Sequence, residues 1–487
     1  MSQTNVLMIN VDHWPASLLN CAGQKDLLSP TIDQLAENGI RFSNFYSDCP
    51  VCIPARRTLM TGQSPRTHGD RVYNDTLTFP KVTSMADAFV QAGYQAYAVG
   101  KMHVYPQRDR IGFHDVLLQE EARYDWGEMD DYQIWLAEQG FAGQEYMHAM
   151  GNNTYQTRPW HLPEHAHATN WATREMAKMI KRKDPTKPGF YYISYQHPHP
   201  PLVPLREYYD MYTEDEIKDP ICGDWVDDST IMKLMCESGL PYSEKEIKMA
   251  KRGFYALCTH IDHQIRILIG TLREQNLLEN TLIVFLSDHG DMLFDHQMVA
   301  KRCLYENAAK VPFILSGAPL KAYGNKVDSR LASLVDVMPT VLDICGIPLP
   351  KGMDGISLVD KEKQHTLKYC EVSEGLKTTR MVTDGRYKLI YYPCGNVFQM
   401  FDLQEDPKEL CNIAESTEKE RMEKRKTLEN ALIAHLYGLD AAWVKDGKLV
   451  GFPAPPYEAG KDYYFYNQRG YHFPPPKGGD KKMGKNA

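Results

Sequence analysis

One repeated pattern constrains the fold of this chain more than any other feature: apolar, strand-like runs end in polar clusters. Residues 5–11 form a nearly continuous apolar run, as expected of a parallel strand that is covered on both faces. Asp12 and His13 follow this run. The pattern returns in residues 94–99 before Lys101 and His103, in residues 190–195 before His197 and His199, and in residues 281–286 before Asp288 and His289. The sequence therefore predicts several strands of one buried sheet.

Helical patterns separate these runs. Ser29 and Pro30 give an N-cap and a first-turn residue before a helix that Gly39 closes, and residues 84–92 and 244–275 carry further helical stripes. We expect an α/β fold whose large domain, residues 1–368, has a mostly parallel sheet between helices. Ligands of such sheets bind at the edge where the carboxyl ends of the strands meet. The candidates for one site at that edge are Asp12, His13, Cys52, Lys101, His103, His199, Asp288 and His289.

The rhythm of the chain changes from about residue 370. Residues 379–382, 387–392 and 398–402 alternate as antiparallel strands, and residues 418–436 are charged and helical. They predict a smaller C-terminal α+β subdomain with an antiparallel sheet over residues 369–445. Residues 446–487 form an aromatic, Pro-rich arm. We expect the arm to pack on the body or on a neighbouring subunit, and so to support a homo-oligomer.

Two long excursions, residues 120–187 and 202–242, interrupt the α/β pattern. Loops on a rigid scaffold commonly carry specificity, so we assign substrate selection to them. The first excursion holds a histidine group, His161, His165 and His167. A second metal site is one interpretation of this group, and scattered surface histidines are the interpretation that we favour.

Composition limits the functional classes. The 487 residues are 43% hydrophobic and 24% charged, and the formal net charge of −8 argues against nucleic-acid binding. No apolar run approaches the roughly 20 residues that span a membrane, and the start of the chain shows no export signal. The 11 scattered cysteines favour free thiols in a reducing compartment. We therefore expect a cytoplasmic enzyme that acts on neither a membrane nor a nucleic acid.

Residues 49–62 contain the strongest local signal for chemistry. Cys52, Pro54 and Arg56 form a Cys-x-Pro-x-Arg core at the start of a predicted helix. A cysteine at a helix N-terminus has a lowered pKa, and the arginine fork suits a tetrahedral oxyanion. The spacing predicts a nucleophile that faces an oxyanion. Cys49 and Cys52 also fit a redox pair or half of a zinc site, and a buried structural cysteine is a third interpretation.

This stretch resembles the signature of the type I sulfatases, which are members of the alkaline phosphatase superfamily. The pattern continues through Thr58, Thr61, Gly62 and residues 64–69. The further matches are carried by Gly93, Tyr94, Gly100, Lys101, His103, His199, Lys301, Tyr305 and Glu306. The resemblance covers about residues 5–414. It implies an alkaline-phosphatase-like domain in an enzyme that hydrolyses small-molecule sulfate esters, and it makes Cys49 a bystander.

The resemblance also implies the cofactors. A maturation enzyme would oxidise Cys52 to formylglycine, and the site would hold one divalent cation, Ca²⁺ or Mn²⁺. The implied ligands are Asp12, His13, Cys52, Asp288 and His289. His13 and His289 differ from the commonest family choices, aspartate and asparagine, and His13 could instead turn away into a hydrogen bond. Calcium prefers oxygen ligands, whereas imidazole suits manganese, iron or zinc.

The resemblance assigns a role to each remaining residue. Hydrated formylglycine attacks sulfur while Arg56, Lys101 and Lys301 neutralise the sulfuryl oxygens. His199, with Lys301, protonates the leaving alcohol, and His103 then deprotonates the second hydroxyl so that sulfate leaves. The implied substrate-binding residues are Asn74, by a weaker match, Lys101, His199 and Lys301. A divalent cation together with Arg56, Lys101 and Lys301, offset by Asp12 and Asp288, carries a charge of roughly +3, which suits a clamp for a tetrahedral anion.

Two other functions compete with this one. A phosphonate monoester or phosphodiester hydrolase on the same scaffold is favoured by His289. Lys101 favours the sulfatase, because a singly charged sulfate ester needs lysines around it. A non-catalytic metal or redox binding protein would use Cys49 and Cys52. The alcohol portion of the substrate, whether aryl, choline-like or sugar, stays open at the level of sequence.

Overall fold

An eight-stranded sheet forms the centre of the larger domain in a computed structural model that describes residues 3–121, 130–237, 242–324 and 326–458. Its strands are β1 (Asn5–Val11), β2 (Gly39–Tyr46), β3 (Gln95–Gly100), β4 (Asp115–Leu118), β5 (Gly189–Tyr195), β6 (Thr281–Ser287), β7 (Phe313–Ser316) and β8 (Lys326–Ser333). They lie in the order β4-β3-β5-β1-β6-β7-β2-β8. Within the described part of this sheet, β7 pairs antiparallel with β6 and β2, and all the other strand pairings are parallel. The predicted α/β class with a mostly parallel sheet is confirmed.

Helices cover both faces of this sheet. The helices of the chain are α1 (Pro30–Glu37), α2 (Cys52–Thr61), α3 (Pro65–His68), α4 (Met85–Gln91), α5 (Asp131–Glu138), α6 (Ala168–Arg182), α7 (Arg206–Tyr209), α8 (Thr230–Cys236), α9 (Glu244–Glu274), α10 (Glu306–Ala309), α11 (Val337–Ile344) and α12 (Lys419–His435). Leu7 and Ile9 of β1 pack in the cluster that contains α6 and α9. Val6 and Met8 pack in the cluster that contains α2, α4 and α11. Burial on both faces explains why β1 is apolar throughout.

Most predicted elements agree with the structure to within a residue or two at each end. Helix α2 ends at Gly62, whose φ of 63° is left-handed, as a C-terminal glycine allows. Helix α9 begins behind a capping box formed by Ser243 and Glu246. The sequence patterns do not indicate β4, β7 or β8. Two of these strands are only four residues long, and β8 is partly exposed.

The smaller domain has an antiparallel sheet, as predicted, and the sheet has four strands, one more than the sequence patterns indicate. Its strands are β9 (Lys368–Val372), β10 (Thr379–Thr383), β11 (Tyr387–Tyr392) and β12 (Val397–Asp402), in the order β12-β11-β10-β9. Leu428 and Leu432 of α12 cover one face of this sheet. On the other face, Cys370 and Ile390 pack with Tyr46 of the large domain. A short hairpin, β13 (Val444–Lys445) and β14 (Lys448–Leu449), follows α12.

Only the first part of the predicted arm lies within the described residues. The Phe452 N–H donates to the Pro393 carbonyl at 2.9 Å, and the Thr230 hydroxyl donates to the Pro455 carbonyl at 2.9 Å. The beginning of the arm therefore lies on the body of the same chain. Residues 459–487, with most of the aromatic side chains of the arm, lie outside the described residues. So does Trp126 of the first excursion.

In the parts of the chain that the structure describes, no helix has the length and apolar character needed to cross a bilayer.

Buried charges join the two domains. Asp440 accepts hydrogen bonds from the guanidinium of Arg71 at 2.8 and 3.0 Å and from that of Arg380 at 2.7 and 3.1 Å. Arg71 follows α3 in the large domain, whereas Arg380 belongs to β10 in the small one. Both Arg380 and Asp440 are almost completely buried. One carboxylate thus holds two arginines together across the interface.

We expect Asp440→Asn to lower the free energy of unfolding by about 3 kcal/mol, because it leaves two buried arginines with Glu371, 3.0 Å from Arg71 and 3.8 Å from Arg380, as their one remaining shared counter-charge among the described residues. Urea denaturation followed by circular dichroism measures this change. The matched control is Leu439→Ala, because Leu439 is 78% exposed beside Asp440. The control should stay within about 0.5 kcal/mol of the unchanged chain. An Asp440→Asn chain as stable as the control would show that the carboxylate does not hold the interface.

Candidate active site

Helix α2 begins at Cys52, at the carboxyl edge of the main sheet, and all ten of its residues are buried. The Cys52 sulfur lies 3.1 Å from Nε2 of His289 and 3.9 Å from a carboxylate oxygen of Asp12. Burial and Asp12 raise the pKa of Cys52, but Lys301, Lys101 and His289 outweigh them and hold it well below its ordinary value. The lowered pKa favours the thiolate, the reactive form of cysteine, at the start of this helix.

Four predicted metal ligands converge on one point. Among the described residues, the one group of side chains whose ligand atoms approach closely enough for a metal, within 4.8 Å of one another, consists of Asp12, His13, Cys52 and His289. The fifth predicted ligand, Asp288, lies beside them, with Oδ1 3.8 Å from Nε2 of His289. One carboxylate, one thiolate and two imidazoles offer a donor set that a transition-metal cation accepts.

Both histidines present Nε2 to this point because Nδ1 is used elsewhere. Nδ1 of His289 lies 3.0 Å from the Gly290 carbonyl, and a carbonyl can only accept, so Nδ1 carries a proton. Burial lowers the pKa of His289, but Asp288 and the Cys52 thiolate raise it to about 9. The raised pKa favours a protonated His289 beside Cys52, and a cation bound to these two side chains would displace that proton.

His13 does not turn away from the site. Its Nδ1 lies 2.7 Å from a carboxylate oxygen of Asp291, which leaves Nε2 facing the other ligands. The Tyr155 hydroxyl donates to the same Asp291 oxygen. The other Asp291 oxygen accepts from the N–H groups of Leu293 and Ala300 at 2.9 and 3.1 Å. The sequence analysis missed Asp291, although it stands two residues beyond the histidine that ends the Asp288-His289 cluster.

Arg56 braces the carboxylates of the site. Its guanidinium donates to Asp288 at 2.9 Å and to Asp12 at 3.4 Å. It also donates to the Lys101 carbonyl and to the Ser194 hydroxyl, each at 2.6 Å. The contacts of Arg56 thus go to protein groups in or directly after four different strands, β1, β3, β5 and β6. Its first function in this geometry is to hold Asp12 and Asp288 together.

Lys101 is completely buried between two carboxylates. Its ammonium contacts Asp12 on one side and Glu121 on the other. Burial lowers the pKa of Lys101, but the two carboxylates outweigh it and raise the pKa above its ordinary value. Glu120 accepts from the N–H groups of Met102 and His103, at 2.5 and 2.9 Å. Sequence reasoning missed both glutamates, because the short strand that precedes them was not predicted.

Lys301 and His199 lie together on the other side of the centre. The Lys301 amine is 2.5 Å from Nε2 of His13 and 3.3 Å from Nε2 of His199. Nδ1 of His199 donates to the Pro200 carbonyl at 2.5 Å. Burial and then Lys301 hold the pKa of His199 well below its ordinary value. The lowered pKa favours a neutral His199, whose Nε2 accepts from the Lys301 amine. His197 only braces the loop, against the His199 carbonyl at 3.2 Å.

Asn74, His103 and Cys49 are not members of this ligand group. Asn74 accepts from the N–H and the hydroxyl of Thr76, both at 3.2 Å, so its recorded contacts are those of a local turn. The His103 ring lies near Tyr73, with a centroid separation of 6.3 Å. Cys49 contacts the Arg71 carbonyl, and burial raises its pKa well above the ordinary value. All 11 cysteines are free, so Cys49 and Cys52 form no disulfide.

The histidine group of the first excursion is engaged with the backbone. His161 Nε2 lies 2.7 Å from the Gln144 carbonyl, and His167 Nε2 lies 3.1 Å from the Val203 carbonyl. His167 also caps α6, where it accepts from the Thr169 N–H at 3.2 Å. Within the described parts of the chain, these histidines are not members of a convergent ligand group. The structure thus gives no support to a second metal site here.

Comparisons with known proteins agree with this geometry. A family model described as Sulfatase matches residues 4–347, and one described as N-sulphoglucosamine sulphohydrolase, C-terminal, matches residues 294–435. An arylsulfatase of Clostridium perfringens (strain 13 / Type A) is 34% identical over 474 residues, covering 92% of this chain and 98% of the relative. A choline-sulfatase of Rhizobium meliloti (strain 1021) is 29% identical, covering 85% and 82% respectively.

A solved structure also resembles the chain. The phosphonate monoester hydrolase of Agrobacterium radiobacter superposes with a TM-score of 0.75 at 19% identity, covering 91% of this chain and 98% of that one. At so low an identity, the likeness concerns the fold alone.

We expect Asp291→Asn to weaken metal binding about 10- to 100-fold, the usual cost of losing a partner that orients a metal-binding histidine. The N–H groups of Leu293 and Ala300 can donate only to the oxygen of the new side-chain amide. The amide oxygen therefore stays on their side, and the amide N–H faces Nδ1 of His13. Nδ1 must then accept, and the ring proton moves to Nε2, which no longer binds a metal. Titration of the metal-free protein with Mn²⁺ measures the affinity.

The control for this substitution is Tyr155→Phe. It removes a second hydrogen bond to the same Asp291 oxygen but leaves the carboxylate and the His13 tautomer in place. Metal affinity should therefore change much less. Equal losses in the two variants would contradict the role of Asp291 in setting the tautomer.

Proposed function

Because this chain belongs to the sulfatase family and is a sulfuric ester hydrolase, we propose that its nucleophile derives from Cys52 and that one divalent cation completes the site. A maturation enzyme would convert Cys52 to formylglycine. One observation carries the proposal: the Cys52 sulfur stands at the start of α2, 3.1 Å from Nε2 of His289, in the ligand group of Asp12 and His13. No other cysteine in this chain belongs to such a group among the described residues.

When both groups are in place, hydrated formylglycine supplies the nucleophilic hydroxyl, and the cation acts as a Lewis acid. The residues of the chain then bind and orient the ester. Lys101 and Lys301 direct their ammonium groups at the sulfuryl oxygens and stabilise the charge that develops there. Arg56 holds Asp12 and Asp288 in place, so that this charge distribution exists before the substrate binds.

We assign proton transfer to Lys301 and His103, and we assign to His199 the orientation of Lys301. Lys301 donates a proton to the leaving alcohol, because its ammonium faces the centre and His199 accepts one of its N–H groups. His199 holds that orientation through its own bond to the Pro200 carbonyl. His103, on the loop after β3, would take the proton from the second hydroxyl of the hydrated formylglycine when sulfate leaves. Asn74 stays a candidate for substrate contact.

The substrate that we propose is an aryl sulfate. The support is the relative named arylsulfatase, which matches this chain over nearly its whole length. Turnover of 4-nitrophenyl sulfate, compared with choline sulfate and a sugar sulfate, tests the assignment. A clear preference for choline sulfate or for the sugar sulfate would change the proposed alcohol portion of the substrate but not the proposed reaction.

We also propose Mn²⁺ rather than Ca²⁺ as the cation. Two imidazole nitrogens, each with Nδ1 bonded elsewhere, face the ligand group. Calcium prefers oxygen ligands throughout, whereas manganese accepts imidazole.

We expect Cys52→Ala to lower kcat on the order of 10⁴-fold or more, because it removes the nucleophile. Mass analysis of the peptide that spans Cys52 should show the aldehyde in active protein. The matched control is Cys49→Ala, which removes a buried cysteine three positions away and should keep the activity. A fully active protein with an intact Cys52 thiol would contradict the proposal.

Metal removal tests the cation. Chelation should abolish turnover, and Mn²⁺ should restore it better than Ca²⁺. We expect His289→Asn to move this preference toward Ca²⁺, because an amide oxygen replaces an imidazole nitrogen. Metal analysis of the purified protein should find one divalent cation per chain. Equal restoration by both cations in both proteins would contradict the role of the imidazoles.

Location and assembly are also proposals. The 11 free cysteines support a reducing, cytoplasmic location. We propose that the aromatic arm joins neighbouring subunits of a homo-oligomer. Deletion of residues 459–487 should lower the number of chains per particle, measured by light scattering, or the melting temperature. A deletion that changes neither quantity would remove the arm from this role.

A further inference from the structure

The charges buried around the centre differ from those that the sequence suggests. The sequence assigns roughly +3 to the site when a divalent cation is counted. Besides Glu120, which accepts from backbone N–H groups, the structure adds two carboxylates that contact side chains of the centre and that the sequence did not indicate, Glu121 beside Lys101 and Asp291 beside His13. With these two negative charges the same count falls to roughly +1. A ligand with a single negative charge would neutralise this net charge.

Of the two added carboxylates, Glu121 is the one that shares a substrate-facing cation. One Glu121 oxygen contacts the Lys101 ammonium and lies 3.9 Å from Nδ1 of His199. Its other oxygen accepts from the Asn152 side chain at 3.4 Å. Lys101 and Glu121 are both buried almost completely. The Glu121 carboxylate is therefore fixed inside the site, between two residues that bind the substrate.

The three cations of the site differ in how their charge is compensated. Arg56 is paired with Asp288 and Asp12, and Lys101 with Asp12 and Glu121. For Lys301, the contacts recorded in the described part of the chain are the imidazoles of His13 and His199. When Asp12 binds the divalent metal ion, Glu121 is the carboxylate that still pairs with Lys101. Glu121 thus decides how much positive charge Lys101 offers to a ligand.

We propose that Glu121 is a specificity-determining residue that makes the site select singly charged sulfate esters over doubly charged phosphate esters. The inference rests on the proposed position of the sulfuryl group between Lys101 and Lys301. A sulfate monoester carries one negative charge. A phosphate monoester carries two at pH 8, because its second pKa is about 6. The second charge meets the buried Glu121 carboxylate, and a repulsion between charges in a buried site is screened little by solvent.

The experiment compares three substrates that share one leaving group in the metal-loaded, mature enzyme. 4-Nitrophenyl sulfate is singly charged, 4-nitrophenyl phosphate is doubly charged, and 4-nitrophenyl phenylphosphonate is a singly charged phosphorus ester. The third substrate separates the effect of charge from that of the element. We expect Glu121→Gln to raise kcat/KM for the phosphate at least about tenfold relative to each singly charged ester. The ratio between the two singly charged esters should not change.

Two further variants keep the test independent of packing. Glu121→Asp keeps the charge and should keep the wild-type ratios. Glu121→Ala removes the charge with a smaller side chain and should shift the ratios in the same direction as Gln. Glu175→Gln is the control for net charge, because Glu175 is on α6 and contacts Arg174 and Lys178 instead of the site.

Unchanged ratios in both neutral variants would overturn the proposal. They would show that Glu121 only holds Lys101 in place, since a merely structural loss lowers kcat/KM for all three esters by one factor. The comparison of phosphate with phosphonate does not depend on sulfatase activity. Turnover of the aryl sulfate by the wild-type enzyme tests the proposed function separately.

Discussion

The burial of charge at the carboxyl edge of the main sheet is the constraint on which the rest of the structure depends. Asp12, Asp288 and Lys101 are completely buried, and Arg56 is nearly so. An unpaired charge in a protein interior is costly, so each of these groups must have a partner there. Their pairing is satisfied only if the ends of β1, β3 and β6 and the start of α2 meet at one point.

The C-terminal subdomain extends the same principle to the loop that carries Lys301. Lys388 of β11 is buried between Glu306 and Glu409, at 3.0 and 2.7 Å. The Glu306 N–H also donates to Glu409 at 2.7 Å, and the Tyr305 hydroxyl donates to Gln399 of β12 at 2.7 Å. These bonds fix the residues four and five positions after Lys301. The smaller domain thus helps to hold the loop of a proposed catalytic residue, although none of the proposed catalytic residues belongs to this domain.

The parts of the fold and site that the sequence predicted are those with strong local signals. The apolar run before Asp12 and the long stripe of α9 follow from burial, which acts on every residue of an element. Glu121 and Asp291 carried no such signal. Glu121 follows a strand of only four residues, and Asp291 reads as one acidic residue among many until its distance from His13 is known. Such short or isolated features obtain their meaning from partners far away in the chain.

The sequence by itself determined the alternation of strands and helices, the edge at which the polar clusters gather, and the position of Cys52, the proposed nucleophile, at the start of a helix. It could do so because hydrophobic periodicity and a helix N-terminus are local properties. Only the tertiary structure decided that His13 faces the ligand group, that Arg56 braces two carboxylates, and that Glu121 shares Lys101. Those facts depend on which buried charges meet, since electrostatic pairing acts between atoms that are close in space and distant in sequence.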